Sequence, residues 1–124
     1  GRTDRTIDII LVDDSYIRGI NRQFRNTDTE TDVISFSYMN EASIVPEEAD
    51  PAGEIYISCA TVEREANERG VDRAHLFLRT VVHGLMHIEG FDHLSDEEAE
   101  RMEAEERRVL AAVLSDRQIA PLFA

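Results

Sequence analysis

The segment His83-Gly84-Leu85-Met86-His87-Ile88-Glu89-Gly90-Phe91-Asp92-His93 constrains this chain more than any other. It holds three of the four histidines. His83 and His87 are four apart, which on a helix is about 40° of rotation and about 6 Å of rise, so both imidazoles can reach one point. His93 lies six residues further on, and a continued helix would aim it far from the pair. A shared target therefore requires the helix to break, and Gly90 stands where a left-handed turn can reverse the chain. Three neutral imidazoles and an open fourth position describe a catalytic zinc site, whereas structural sites fill the fourth place, usually with cysteine. Cys59 is the sole cysteine, and the sequence leaves its distance from the histidines open. The plainer alternative is a partly buried helix that happens to carry histidines. His75 falls about 80° from His83 and reads as a surface or core histidine.

The flanking pattern predicts an α+β class: a small mixed sheet packed with helices, in one domain over residues 1–124. Thr6–Val12 is β-rich and reads as a strand. Asp13, Asp14 and Ser15 can cap a helix over about Tyr16–Arg25, with Ile17, Ile20 and Phe24 on one face. Asp32–Tyr38 and Gly53–Ser58 read as further strands, and Asn40–Pro51 as an exposed acidic loop. Ala60–Arg69 is helical up to Gly70, and Asp72 opens the histidine helix, which runs to about Glu89. Ser95-Asp96-Glu97-Glu98 is a capping box. It starts a last helix with Ala99, Met102, Val109, Leu110 and Val113 inward. The acidic run Asp96–Glu106 reads as a solvated face.

The chain has 124 residues and 42% hydrophobic content, enough for one real core. No apolar run approaches a membrane span, no signal-peptide pattern opens the chain, and a lone cysteine fits a reducing, cytoplasmic setting. The formal charge is −13, and all 13 basic residues are arginine. That balance argues against non-specific binding to nucleic acid or anionic membrane, but not against a local basic groove. A lysine-free acidic surface suits a salt-rich cytoplasm; codon bias toward arginine explains it equally well. Arg18, Arg22 and Arg25 recur at i, i+4, i+7, as either a phosphate track or an ordinary solvated face.

The His-x3-His spacing with a following glycine and histidine occurs in metzincin proteases, which carry a general-base glutamate after the first histidine. Here that position is Gly84, which cannot take a proton, and Glu89 follows His87 and points off the ligand face. Peptide hydrolysis by that route is therefore disfavoured.

The same eleven residues resemble the His-Gly-x-x-His-x-x-Gly-aromatic-Asp-His signature of the YbeY family of metal-dependent endoribonucleases, the bacterial rRNA maturation factors. Further blocks resemble that family: Asn21-Arg22-Gln23-Phe24-Arg25, Thr31-Asp32-Val33-Ile34-Ser35-Phe36, Gly53-Glu54-Ile55-Tyr56-Ile57-Ser58, and Met102 with Glu106. The likeness covers about Ile7–Leu114. Glu30 and Phe91 depart from the usual proline and tyrosine. Members usually carry a further N-terminal strand and helix, which this chain is expected to lack.

The resemblance implies His83, His87 and His93 as ligands of one zinc per chain, on a zincin-like helix, and a functional arginine at Arg25. It implies single-stranded ribosomal RNA as substrate and ribosomal proteins among the partners. A guanidinium suits phosphodiester cleavage because charge builds on the phosphoryl oxygens. From the residues alone, Arg25 reads first as a cation at a solvated helix C-terminus, and it is the resemblance that makes it a functional residue. Asp92 can orient a ligand or cap the turn after Gly90. The residues identify no general base, and water and the RNA 2′-hydroxyl both remain candidate nucleophiles. Two other classes stay open: a zinc hydrolase of another substrate, such as a peptidase, and a non-enzymatic ribosome-assembly module whose structural metal is completed by Cys59 or Asp92.

Overall fold

The structure, a computed structural model, describes residues 6–38, 52–90 and 95–124. The loop expected over Asn40–Pro51 lies outside the described residues. In chain order the elements are β1 (Ile7–Val12), α1 (Asp14–Arg25), β2 (Val33–Ser37), β3 (Gly53–Ser58), α2 (Cys59–Arg69), α3 (Arg73–Ile88), α4 (Asp96–Leu110) and α5 (Asp116–Ile119). A 3-10 turn over Ala120–Phe123 follows α5. The expected α+β class holds.

The three strands form one mixed sheet in the order β1-β3-β2, with β1 parallel and β2 antiparallel to β3. Strand periodicity sends Ile55 and Ile57 to one face and Glu54 and Tyr56 to the other. The Ile55 face receives α3. Ile55 and Ile57 are fully buried there, in a cluster with Val62, Leu76, Met86 and Ile88. The opposite face receives α1, where Tyr16 stacks on Tyr56 at 6.3 Å and Phe24 meets the edge of Phe36 at 5.2 Å.

Side-chain caps set the helix starts. Asp13 accepts from the Tyr16 amide, Ser58 from that of Thr61, Asp72 from those of Ala74 and His75, and Ser95 from that of Glu98. Helix α3 ends before Gly90, whose φ of 101° is open to glycine and costly for other residues. Asp14, inside the first turn of α1, joins distant parts of the chain. Its carboxylate accepts from Ser58 Oγ at 2.6 Å, from Thr61 Oγ1 at 2.5 Å and from Arg64.

The apolar face of α1 is not buried throughout, and one inward assignment on α4 is corrected. Phe24 is 61% exposed, because α1 buries Ile17 and Asn21 and leaves Phe24 at the rim of the sheet. Val113 is 67% exposed, because α4 stops at Leu110 and the chain turns before Val113 can join its buried stripe of Met102, Glu106 and Leu110.

Helix α3 approaches the sheet closely at Gly84. A Cβ there would lie 2.8 Å from Ile55 Cγ2. Gly84→Ala is expected to destabilise the fold by about 1–3 kcal/mol through overpacking, read as a lower urea midpoint at unchanged slope. The hydroxyls of Ser58 and Thr61, and then Arg64, hold the Asp14 carboxyl below its ordinary 3.8. A depressed carboxyl stabilises the fold above its unfolded pKa and loses that contribution as pH falls through its folded value. Asp14→Asn is therefore expected to lower the thermal midpoint at neutral pH, with the gap to the unsubstituted chain closing below about pH 4.

Candidate functional site

Along the second half of α3 burial alternates. Val82, Gly84, Met86 and Ile88 are buried, while His83 and His87 are half-buried. The two imidazoles meet as the i, i+4 spacing predicts. Their rings stand 4.7 Å apart, nearly perpendicular, and the two Nε2 atoms are 3.2 Å apart. Two nitrogens bound at 2.0–2.1 Å to one tetrahedral ion lie about 3.3 Å from each other. The pair fits a shared zinc-like cation in both separation and donor type.

The other nitrogen of His83 fixes its tautomer. His83 Nδ1 is 3.2 Å from Glu106 Oε1 on α4. A proton on Nδ1 donates to that carboxylate and leaves Nε2 as a bare donor toward a cation, the arrangement that carboxylate–histidine pairs give at metal sites. Glu106 is 2% exposed. The reading of Asp96–Glu106 as a solvated face therefore fails at its last residue. A signal was present: Glu106 lies four residues after Met102 and four before Leu110, on the one stripe of α4 that is buried. Arg79 Nε stands 3.6 Å from the other carboxylate oxygen of Glu106. A cleft of about 160 Å³ opens beside the pair, lined by Asp32, Glu65, Arg69, Arg79, Thr80 and His83, among others.

Gly84 follows His83 on the side of α3 that faces Ile55. A carboxylate at that position would meet the sheet. The structure thus gives a packing reason for the glycine and strengthens the case against a metzincin-type base.

His93 and Asp92 lie outside the described residues. Among the described residues, no group of three His, Cys, Asp or Glu side chains could hold a metal ion. Cys59 is exposed at the start of α2 and lines an apolar groove of about 520 Å³ with Val62, Phe77 and Leu78, a groove that neither His83 nor His87 lines. His75 is half-buried one turn into α3.

Arg25 is the last residue of α1 and is exposed. In the stripe Arg18, Arg22 and Arg25, Arg18 is tied to Asp28 at 2.9 Å. Among the described residues, Arg22 and Arg25 have no side-chain hydrogen bond or ion pair, so the stripe keeps two cations available. The structure brings His83 and His87 together and joins neither to Arg25 by such a contact.

Residues 2–114 match the sequence profile of the family described as Endoribonuclease YbeY. The chain belongs to the YbeY family. It is 38% identical over 109 residues to the endoribonuclease YbeY of Paramagnetospirillum magneticum, covering 86% of this chain and 66% of that protein. It is 42% identical over 106 residues to the one from Azorhizobium caulinodans, covering 85% and 65%. The solution structure of TM1509 from Thermotoga maritima superposes with a TM-score of 0.55 at 32% identity, over 87% of this chain and 70% of that one. This chain thus spans about two thirds of the length of the YbeY relatives it matches. Among the described residues, no helix is long and apolar enough to cross a membrane.

The position of Cys59 makes a prediction. Cys59→Ser is expected to keep the metal stoichiometry of the unsubstituted chain, measured by mass spectrometry of protein purified without chelator.

Proposed function

We propose that this chain is a metal-dependent endoribonuclease that cleaves single-stranded RNA in ribosomal RNA maturation, working as one domain in the cytoplasm alongside ribosomal proteins. The observation that carries this reading is the convergence of His83 and His87 on one point, in a chain whose relatives are described as endoribonucleases. His83, His87 and His93 are the ligands of one zinc. The 3.2 Å separation of the first two and the carboxylate behind His83 support it. The turn at Gly90 supports it too, because it ends the helix that, if continued, would aim His93 away from the pair.

When bound, zinc supplies Lewis-acid polarisation of a phosphodiester. The chain's own residues do the rest. Glu106 holds the His83 proton on Nδ1 and fixes the plane of that ring. Arg25 places paired N–H donors on the phosphoryl oxygens, where negative charge grows as the bond breaks. Its exposure and lack of a carboxylate partner among the described residues support that role. Arg22, on the same stripe, gives the backbone a second contact, which offsets locally the repulsion from an acidic chain.

Protein purified without chelator is expected to carry about one zinc per chain and to cleave a single-stranded RNA. His87→Ala is expected to lose both. Arg25→Ala is expected to keep the metal and lose about 10²-fold or more in cleavage rate. Zinc with no cleavage of any single-stranded RNA overturns the nuclease reading. No zinc even after reconstitution overturns the three-histidine site.

A further inference from the structure

We infer that the C-terminal segment Asp116–Phe123 is a positioning device for His83, acting through Arg79 and Glu106. The inference rests on the reading of His83 as a metal ligand. It goes beyond the family, because residues 115–124 lie outside the stretch that matches the YbeY profile.

The chain of contacts is continuous. His83 Nδ1 is held by Glu106 Oε1 at 3.2 Å. Glu106 is a carboxylate sealed in the core, and its second oxygen, Oε2, makes no hydrogen bond among the described residues. A buried carboxylate needs a countercharge. The guanidinium of Arg79, with Nε 3.6 Å from Oε2, supplies it. Arg79 is in turn held by the C-terminal segment from two sides. Its Nη1 donates to the Leu122 carbonyl, and its guanidinium lies over the Phe123 ring, 4.0 Å from the centroid. Arg107 stacks against the same ring at 4.5 Å, and Arg69 donates to the Leu122 carbonyl at 2.7 Å. The segment itself is anchored by Ile119 and Leu122, both buried in the main core, and its start is locked by the reciprocal capping of Ser115 and Gln118.

The physical logic is one of constraint. Arginine is long and flexible, and one whose side chain is 27% exposed can turn toward water. The Phe123 face and the Leu122 carbonyl hold the planar guanidinium at the Glu106 end of its range. Glu106, neutralised in place, then keeps the His83 proton on Nδ1. Loss of the clamp leaves a buried carboxylate without its countercharge, and the ring it orients is no longer fixed.

The test is zinc affinity of the full chain by competition with a chromophoric chelator, with the visible spectrum of the cobalt-substituted protein as a report on ligand geometry. Phe123→Leu keeps apolar bulk and removes the π face. It is expected to weaken zinc binding about 10-fold, as loss of an outer-shell partner does, and to shift the cobalt bands. Phe123→Tyr is expected to restore both. Glu106→Gln is expected to weaken binding comparably, and adding Phe123→Leu to it is expected to cost nothing further, because both act on one path. Should Phe123→Leu fail to fold, Arg79→Lys, which keeps the charge and loses the planar fork, tests the same link. Wild-type zinc affinity and cobalt spectrum in the Phe123→Leu or Arg79→Lys variant overturn the clamp, as do losses that simply add in the double variant. His83→Ala separates the two failures. If that variant binds zinc as tightly as the unsubstituted chain, the ligand reading falls and the clamp falls with it.

Discussion

The seat of α3 on β3 is the contact on which the rest of the structure depends. It is made by two glycines, one on each element. Gly84 brings the helix onto Ile55, and Gly53 lets the strand approach Ile88; a Cβ at either position would come to 2.8 Å of its neighbour. Such close approach fixes the rotation of α3 about its own axis, since a turn of one residue would put a side chain where there is room for none. That rotation sends Val82, Met86 and Ile88 into the core and leaves His83 and His87 half-buried, with His83 against Glu106 of α4. The geometry of the histidine pair is therefore set by packing on the other side of the helix. A glycine that stands where a metzincin carries its base is thus the one that sets how the two imidazoles face.

Much of this was legible in the sequence, for identifiable reasons. Three strands, the helix caps at Asp13, Asp72 and Ser95, and the stop at Gly90 follow from local chemistry, which a short window of sequence carries in full. The meeting of His83 and His87 follows from helical geometry alone. What the sequence did not disclose depends on partners far along the chain. Glu106 looked like one more acid in an acidic run, and only its place between Met102 and Leu110 hinted at burial. Phe24 carried the right period for the core, yet α1 docks through Ile17 and Asn21. The short α5 and its 3-10 turn have no strong periodicity, and their importance lies in Leu122 and Phe123 meeting Arg79, over 40 residues away in sequence.

The charge of the chain is better understood by region than by sum. Helix α4 carries seven of the 26 acidic residues, and two of its three arginines pair with its own carboxylates, Arg107 with Glu103 and Arg108 with Glu105. Exposed pairs of this kind contribute little to stability. They do mask acidic charge over the distance at which a polyanion would sense it, since salt screens what lies beyond about 8–10 Å. A formal −13 thus coexists with a helix, α1, whose Arg22 and Arg25 keep their guanidinium groups uncommitted among the described residues.

The sheet order also divides the contacts into those near in sequence and those far apart. Strand β1 pairs in parallel with β3, and the 40 residues from 13 to 52 separate the two in sequence. Closing that long span costs chain entropy before any hydrogen bond is returned. By contrast α2 follows β3 directly and α3 follows α2, so the unit of β3, α2 and α3 can form from contacts near in sequence. The histidine pair sits within that local unit. Among the described residues, strand β1 is at one side of the sheet and exposes Ile9 and Leu11, so it shares less of its surface with the core than β3 does.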